Sequence, residues 1–263
     1  MKRFIPFRKS APVVSVVRLN GMIASGGRGL NDAGTAAMIE KAFAKGKPKA
    51  VALVINSPGG SPAQSSLIAA RIRRLADEKE IPVFAFVEDV AASGGYWLAS
   101  AADEIFVDAT SVVGSIGVIS AGFGMSELIA RYGIERRVYT AGTSKSMNDP
   151  FKPENPEDVA RLNVILEQLH ETFKQQIRSR RANKLVERDL FTGEIWVGQG
   201  AVDVGLADGV GHLVPTLKER FGKKVKFRVY GQRKSLLSRI GASAVGGLAH
   251  QIEERAQFAR FGL

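Results

Sequence analysis

"PVFAFVEDVAASGGYWLASAAD", residues 82–103, joins two kinds of pattern with no linker between them. Residues 82–89 are almost unbroken in apolarity and rich in valine and phenylalanine, as expected for a strand buried on both faces. A run of small residues then leads to Ser93, and an aromatic helical pattern begins at the glycine pair Gly94-Gly95. A strand feeding directly into a helix is the repeating unit of an α/β protein with a mainly parallel sheet.

The same alternation extends outward. "VVSVVRL" (13–19), "AVALVIN" (50–56), "EIFVDA" (104–109) and "ERRVYTA" (135–141) read as further strands. Helical patterns occupy 31–45 and 61–80; in the second, Ser61 stands where a cap belongs and Pro62 at the first helical position. A longer helical pattern follows "NDPFKPENPED", with Val159, Leu162, Leu166, Leu169, Phe173 and Ile177 recurring at spacings of three and four. That stripe is expected to pack on the core rather than to form a subunit interface. From residue 232 onward the chain turns to small residues, interleaved charges and scattered Leu, Ile and Phe, an amphipathic helical tail with a glycine-weakened middle. The expected organisation is a basic segment over 1–12, one α/β domain over 13–231 and the tail over 232–263.

Composition narrows the chemistry. The 263 residues contain no cysteine, which removes disulfides, thiolate metal sites and cysteine nucleophiles together. No apolar run approaches bilayer-spanning length, and no signal-peptide core precedes Arg8 and Lys9. A cytoplasmic protein is expected. The net charge of +11 is concentrated in the first ten residues and in "LKERFGKKVKFRVYGQRKSLLSR". Such blocks suit a solvated surface or an anionic membrane, with the tail as the expected contact. Nucleic acid is not expected, because no aromatic stacking motif or reading module accompanies the charge.

Two turns could carry chemistry. In "INSPGGSPAQ" a buried strand ends at Asn56, and Pro58-Gly59-Gly60 turn the chain into a capped helix. Backbone N–H groups left unpaired at such a turn suit an anion or a developing oxyanion, although a plain strand-to-helix turn has the same composition. The second turn holds Ser93, as a helix cap or as a nucleophile. Gly94 and Gly95 are poor helix formers, and Ala91-Ala92 leave space beside the hydroxyl. His170, His212 and His250 are the only histidines, and none has an acidic partner at an evident spacing. Most lysines lie in solvated charge runs; Lys145, in "TAGTSKSMNDPF" among small hydroxyl residues and turn formers, stands apart from them, as a candidate base or as an ordinary loop lysine. Spacing alone does not bring it to Ser93.

In the order "INSPGGS", "VAASGGYWLASAAD", "VGSIGVIS", "AGTSKSMNDPFKP" and, more weakly, "TGEIWVGQGAVDVGLAD", the chain resembles the signal peptide peptidase A or protease IV family of serine peptidases. The resemblance implies a Clp/crotonase-like fold of β-β-α units and a Ser–Lys dyad without cofactor or metal. In that dyad Ser93 is the nucleophile, Lys145 the general base, and Ser115 a hydroxyl that positions the lysine amine. Backbone N–H groups of Gly60 and Gly94 are then the oxyanion hole. The resemblance further implies ring-like homo-oligomers with active sites near protomer boundaries, and hydrophobic or unfolded peptides, leftover signal peptides among them, as substrates. Crotonase-type acyl-CoA chemistry and a non-enzymatic membrane-associated scaffold are the competing classes.

Overall fold

The computed structural model describes residues 11–26, 29–142, 144–231 and 255–263; the basic start and most of the tail lie outside them. In chain order the elements are β1 (Val13–Asn20), α1 (Asp32–Ala44), β2 (Ala50–Ser57), α2 (Pro62–Lys79), β3 (Val83–Ala92) and α3 (Gly94–Ala99). They continue as β4 (Glu104–Val107), β5 (Val112–Gly114), α4 (Ser126–Arg131), α5 (Pro156–Arg181) and β6 (Ile195–Val197). The last are α6 (Gln199–Asp203), β7 (Gly209–Val210), α7 (Leu213–Phe221) and β8 (Lys226–Tyr230). A short helical stretch at 255–259 follows.

The eight strands form one sheet ordered β6-β5-β3-β2-β1-β8, with β4 on β3 and β7 on β4. All pairs are parallel except β5 with β6. The alternation of strands and helices in the sequence is thus realised as an α/β fold. Strand β3 forks: Phe84–Val87 pair with β4, and Val90–Ala92 pair with β5. Ser93 leaves the tip of that fork.

Side-chain alternation along each strand divides the core. Val17 and Leu19 of β1 and Leu53 and Ile55 of β2 face α1, α2 and α3, where Ile39, Phe43, Ile68, Ile72 and Leu98 close the main core. Val14, Val16, Ala52, Val54, Phe84 and Phe86 face the other way and pack under Leu217 and Phe221 of α7. Helix α2 begins as its sequence dictates: Ser61 Oγ accepts the Gln64 N–H and Pro62 takes the first turn.

Two expectations fail. Residues 135–141 form no strand; they run exposed, with Tyr139 at 90% exposure, because no sheet edge is offered for them to pair with. The stripe on α5 also does not act as one face. Phe173 and Ile177 are buried, but Leu169 is exposed and Leu162 and Leu166 only half-buried. Only the C-terminal half of α5 lies on the core, and its first half projects alongside the arm formed by residues 118–155.

Candidate active site

Ser93 occupies the cap position of α3 with φ 52° and ψ −121°, a left-handed conformation that costs a non-glycine residue ~1–3 kcal/mol. Three backbone bonds hold it there. Its N–H donates to the Gly114 carbonyl at 2.8 Å, and its own carbonyl accepts from Tyr96 N at 2.9 Å and Trp97 N at 3.0 Å. The serine side chain makes no capping bond. The cap reading therefore accounts for the position of Ser93 but leaves its hydroxyl without a capping role, and Ser93 lines a cavity of about 640 Å³.

The elements below this turn are fixed by buried groups. Tyr96 is fully buried and its hydroxyl donates to the Leu206 carbonyl at 2.8 Å. Burial pushes that phenol well above its usual range, so it stays a neutral donor. Asp208, two residues beyond Leu206, accepts from Arg181 Nη1 at 2.6 Å, Lys184 Nζ at 2.6 Å and Ile105 N at 2.7 Å. Burial raises the Asp208 carboxyl, but these three donors together outweigh it and hold the group below the ordinary carboxylate range. Trp97 stacks on Phe173 with ring centroids 4.9 Å apart, which joins the serine helix to α5.

The glycines around Ser93 have steric causes. Gly60 lies at φ 136°, and a Cβ there would collide with the Ile23 carbonyl. A Cβ on Gly95 would collide with the Ser57 carbonyl. The loop of β2 and the start of α3 therefore meet backbone to backbone. Gly60 and Gly94 line the cavity beside Ser93. The Gly94 N–H, at the first position of α3, has no intrahelical acceptor. Two main-chain N–H groups flanking a hydroxyl at a helix N-terminus can receive negative charge developing on a substrate oxygen.

Ser115 lines the same cavity. It follows β5 with φ 51°, and its N–H donates to the Glu194 carbonyl at 2.7 Å. His170 Nε2 contacts the Ile116 carbonyl at 3.1 Å and so braces this turn from α5. Ser93, Ser115, Gly60 and Gly94 are thus brought together. Lys145 is not among the residues lining that cavity. It is exposed in the arm, in a turn where Lys145 N donates to the Gly142 carbonyl at 3.3 Å. Its neighbours Ser144 and Ser146 accept from Arg161 at 2.7 Å and Lys152 at 2.8 Å.

The structure also supplies what the sequence reading missed. Ile23, Trp97, Leu169 and Phe173 make one apolar wall, while Arg260 and Phe261 of the C-terminal stretch form part of the rim. Phe258 and Phe261 pack on Val90, Ala92 and Val112, the strand ends beneath Ser93. The helical stripe could have marked Phe173; nothing local marks Phe261. His212 does have an acidic partner, Asp108, at 2.8 Å, but the pair is exposed and lines no part of the Ser93 cavity. Among the described residues no group of three metal-ligating side chains occurs, and no helix is long and apolar enough to cross a membrane.

The profile of peptidase family S49 matches residues 76–225. The chain is 46% identical to a protein named Na(+)/H(+) antiporter NhaA from Brucella melitensis, over 100% of this chain and 39% of that protein. It is 30% identical to the chloroplastic serine protease SPPA of Arabidopsis thaliana, over 89% of this chain and 37% of that one. A putative signal peptide peptidase SppA of Enterococcus faecium is 32% identical over 62% of this chain and 48% of its own length. The chain therefore spans less than half the length of each of these three relatives.

Proposed function

The chain belongs to peptidase family S49, and on that premise we propose that it is a serine endopeptidase in which Ser93 attacks the peptide carbonyl and Lys145 is the general base. The observation that carries this reading is the Ser93 turn. Its backbone is held in a strained conformation, its hydroxyl is spared from capping, and Ser93 lines a cavity shared with Gly60 and Gly94.

In the proposed cycle, neutral Lys145 takes the Ser93 proton as Oγ bonds to the substrate carbonyl carbon. The resulting oxyanion is received by the Gly60 and Gly94 N–H groups. The lysine then protonates the departing amine, leaving an acyl-serine. A water molecule, deprotonated by the same lysine, releases the acid and restores the serine. Ser115, on the floor of the cavity, is the hydroxyl that orients the amine.

Lys145 is exposed on the arm and does not line the Ser93 cavity, which supports a dyad made between chains. We infer that a second copy completes it. The arm carries Ile119, Phe123, Tyr132 and Tyr139 at 64%, 83%, 73% and 90% exposure, a surface that fits burial against another protomer. A lysine acts as base only when neutral, and desolvation at a protomer boundary favours that form. Hydrophobic or unfolded peptides, among them leftover signal peptides, are the proposed substrates, in keeping with the apolar cavity wall.

Hydrolysis of a fluorogenic peptide by the purified assembly should be lost in Ser93→Ala and in Lys145→Ala. Mixing the two inactive variants should restore part of the activity if the dyad spans protomers. Turnover retained by either single variant would sink the dyad. A mixture that stays inactive while still co-assembling would refute the shared site.

A further inference from the structure

We propose that the edge of the sheet opposite Ser93 is a docking surface for an anionic lipid bilayer. Three neighbouring strands, β2, β1 and β8, begin at this edge. Lys49 immediately precedes β2 and its N–H donates to the Val13 carbonyl at 2.8 Å. Lys226 opens β8 and donates to the Pro12 carbonyl at 2.8 Å. With strands ~4.8 Å apart, these two lysines stand roughly 10 Å from one another on either side of β1.

Two short loops add to them. Lys45 and Lys47 lie in the connection from α1 to β2, and Lys223 and Lys224 in the turn before β8. Arg228, within β8, ties that strand to the first loop by donating to the Lys45 carbonyl at 2.7 Å. All six lysines are exposed. Among the described residues the lysines that do form ion pairs are Lys174 and Lys184, both on or just after α5. Several carboxylates of the flanking elements are engaged by arginines: Glu40 with Arg71, Asp77 and Asp103 with Arg73, Glu78 with Arg74, and Glu104 with Arg220. Glu80, between α2 and β3, and Glu219, in α7, are exposed as well.

The chemistry of the patch favours lipid over nucleic acid. Its charges are lysine ammoniums, which act as point charges toward phosphate, and among the described residues no exposed aromatic side chain accompanies the six lysines for base stacking. Lys49 and Lys226 sit at the strand starts, Lys45 and Lys47 follow α1 on one face of the sheet, and Lys223 and Lys224 follow α7 on the other, so the cations are spread across the width of this end, as a layer of headgroups would meet them. The site is distinct from the tail, where the sequence suggested membrane contact, and it is independent of the peptidase reading.

The test is flotation of the full chain with vesicles of phosphatidylcholine alone and with added phosphatidylglycerol. Three triple variants are compared: Lys45→Gln/Lys47→Gln/Lys49→Gln, Lys223→Gln/Lys224→Gln/Lys226→Gln, and Arg233→Gln/Lys234→Gln/Arg239→Gln in the tail. Thermal melts confirm that each variant folds. At about fivefold in partitioning per lysine near an anionic surface, each patch triple should weaken binding to phosphatidylglycerol vesicles roughly 100-fold. The tail triple should bind as the unaltered chain does, and raised salt should release all of them. No binding to phosphatidylglycerol vesicles, patch triples that bind normally, loss confined to the tail triple, or tighter binding to duplex RNA than to vesicles would each overturn the proposal.

Discussion

Replacing Asp208 by Asn tests whether the serine helix is anchored from below as described. The substitution preserves shape and removes one negative charge, leaving Arg181, 1% exposed, without its carboxylate. Arg181 keeps its bonds to the Gly205 carbonyl at 3.1 and 2.6 Å, so the helix end is not released outright. Breaking a buried ion pair from one side costs ~3–5 kcal/mol. For a chain of this size that corresponds to a fall in Tm of roughly 6–15 °C. The pH dependence follows from the lowered carboxyl. A group held below its unfolded value contributes stability that is fully present above the unfolded value and disappears as pH falls through the folded one. The gap between the unaltered chain and Asp208→Asn should therefore be widest near neutrality and close in strong acid. Differential scanning calorimetry across that range measures it. A variant melting within about a degree of the parent at neutral pH would refute the anchoring argument, as would a gap that does not shrink on acidification.

Removing the ring of Phe173 by Phe173→Ala deletes the partner of Trp97 and should cost ~3–5 kcal/mol, read as a lower denaturant midpoint with little change in slope. A loss below about 1 kcal/mol would mean that α5 does not rest on the serine helix there. Gly95→Ala brings a Cβ into the Ser57 carbonyl, so the turn must shift; labelling of Ser93 by a serine-directed acylating reagent should slow at least tenfold, an effect of ~1.4 kcal/mol or more on the barrier. Unchanged labelling would show that the backbone-to-backbone contact is not what positions the hydroxyl.

The parts of the fold legible in the sequence are those whose signal is local and strong. Strands β1, β2 and β3 announce themselves because both faces are covered, and Ser61-Pro62 marks the start of α2 because capping is read within one turn. Where tertiary context decides, local signal misleads. "ERRVYTA" has strand composition but meets no edge, whereas the basic stretch "KFRVY" becomes β8 because β1 offers it one. Strand β6 is three residues long, with no periodicity to detect, yet it pairs with β5 and its neighbour Glu194 holds Ser115. At the site, Ser93, Gly60 and Gly94 are visible as turns between strong elements. The residues themselves mark Lys145 only as a lysine outside the charge runs, and its role as base comes from the resemblance, since no local pattern ties it to Ser93 across the intervening chain.

The backbone angle at Ser93 sets two demands on one position against each other. A residue without a Cβ would relax at that φ, so Ser93→Gly should relieve part of a strain of ~1–3 kcal/mol while deleting the hydroxyl. In a population of sequences screened only for resistance to heat, this position would drift toward glycine. Ser93 at that φ is thus a residue that folding stability alone would not favour.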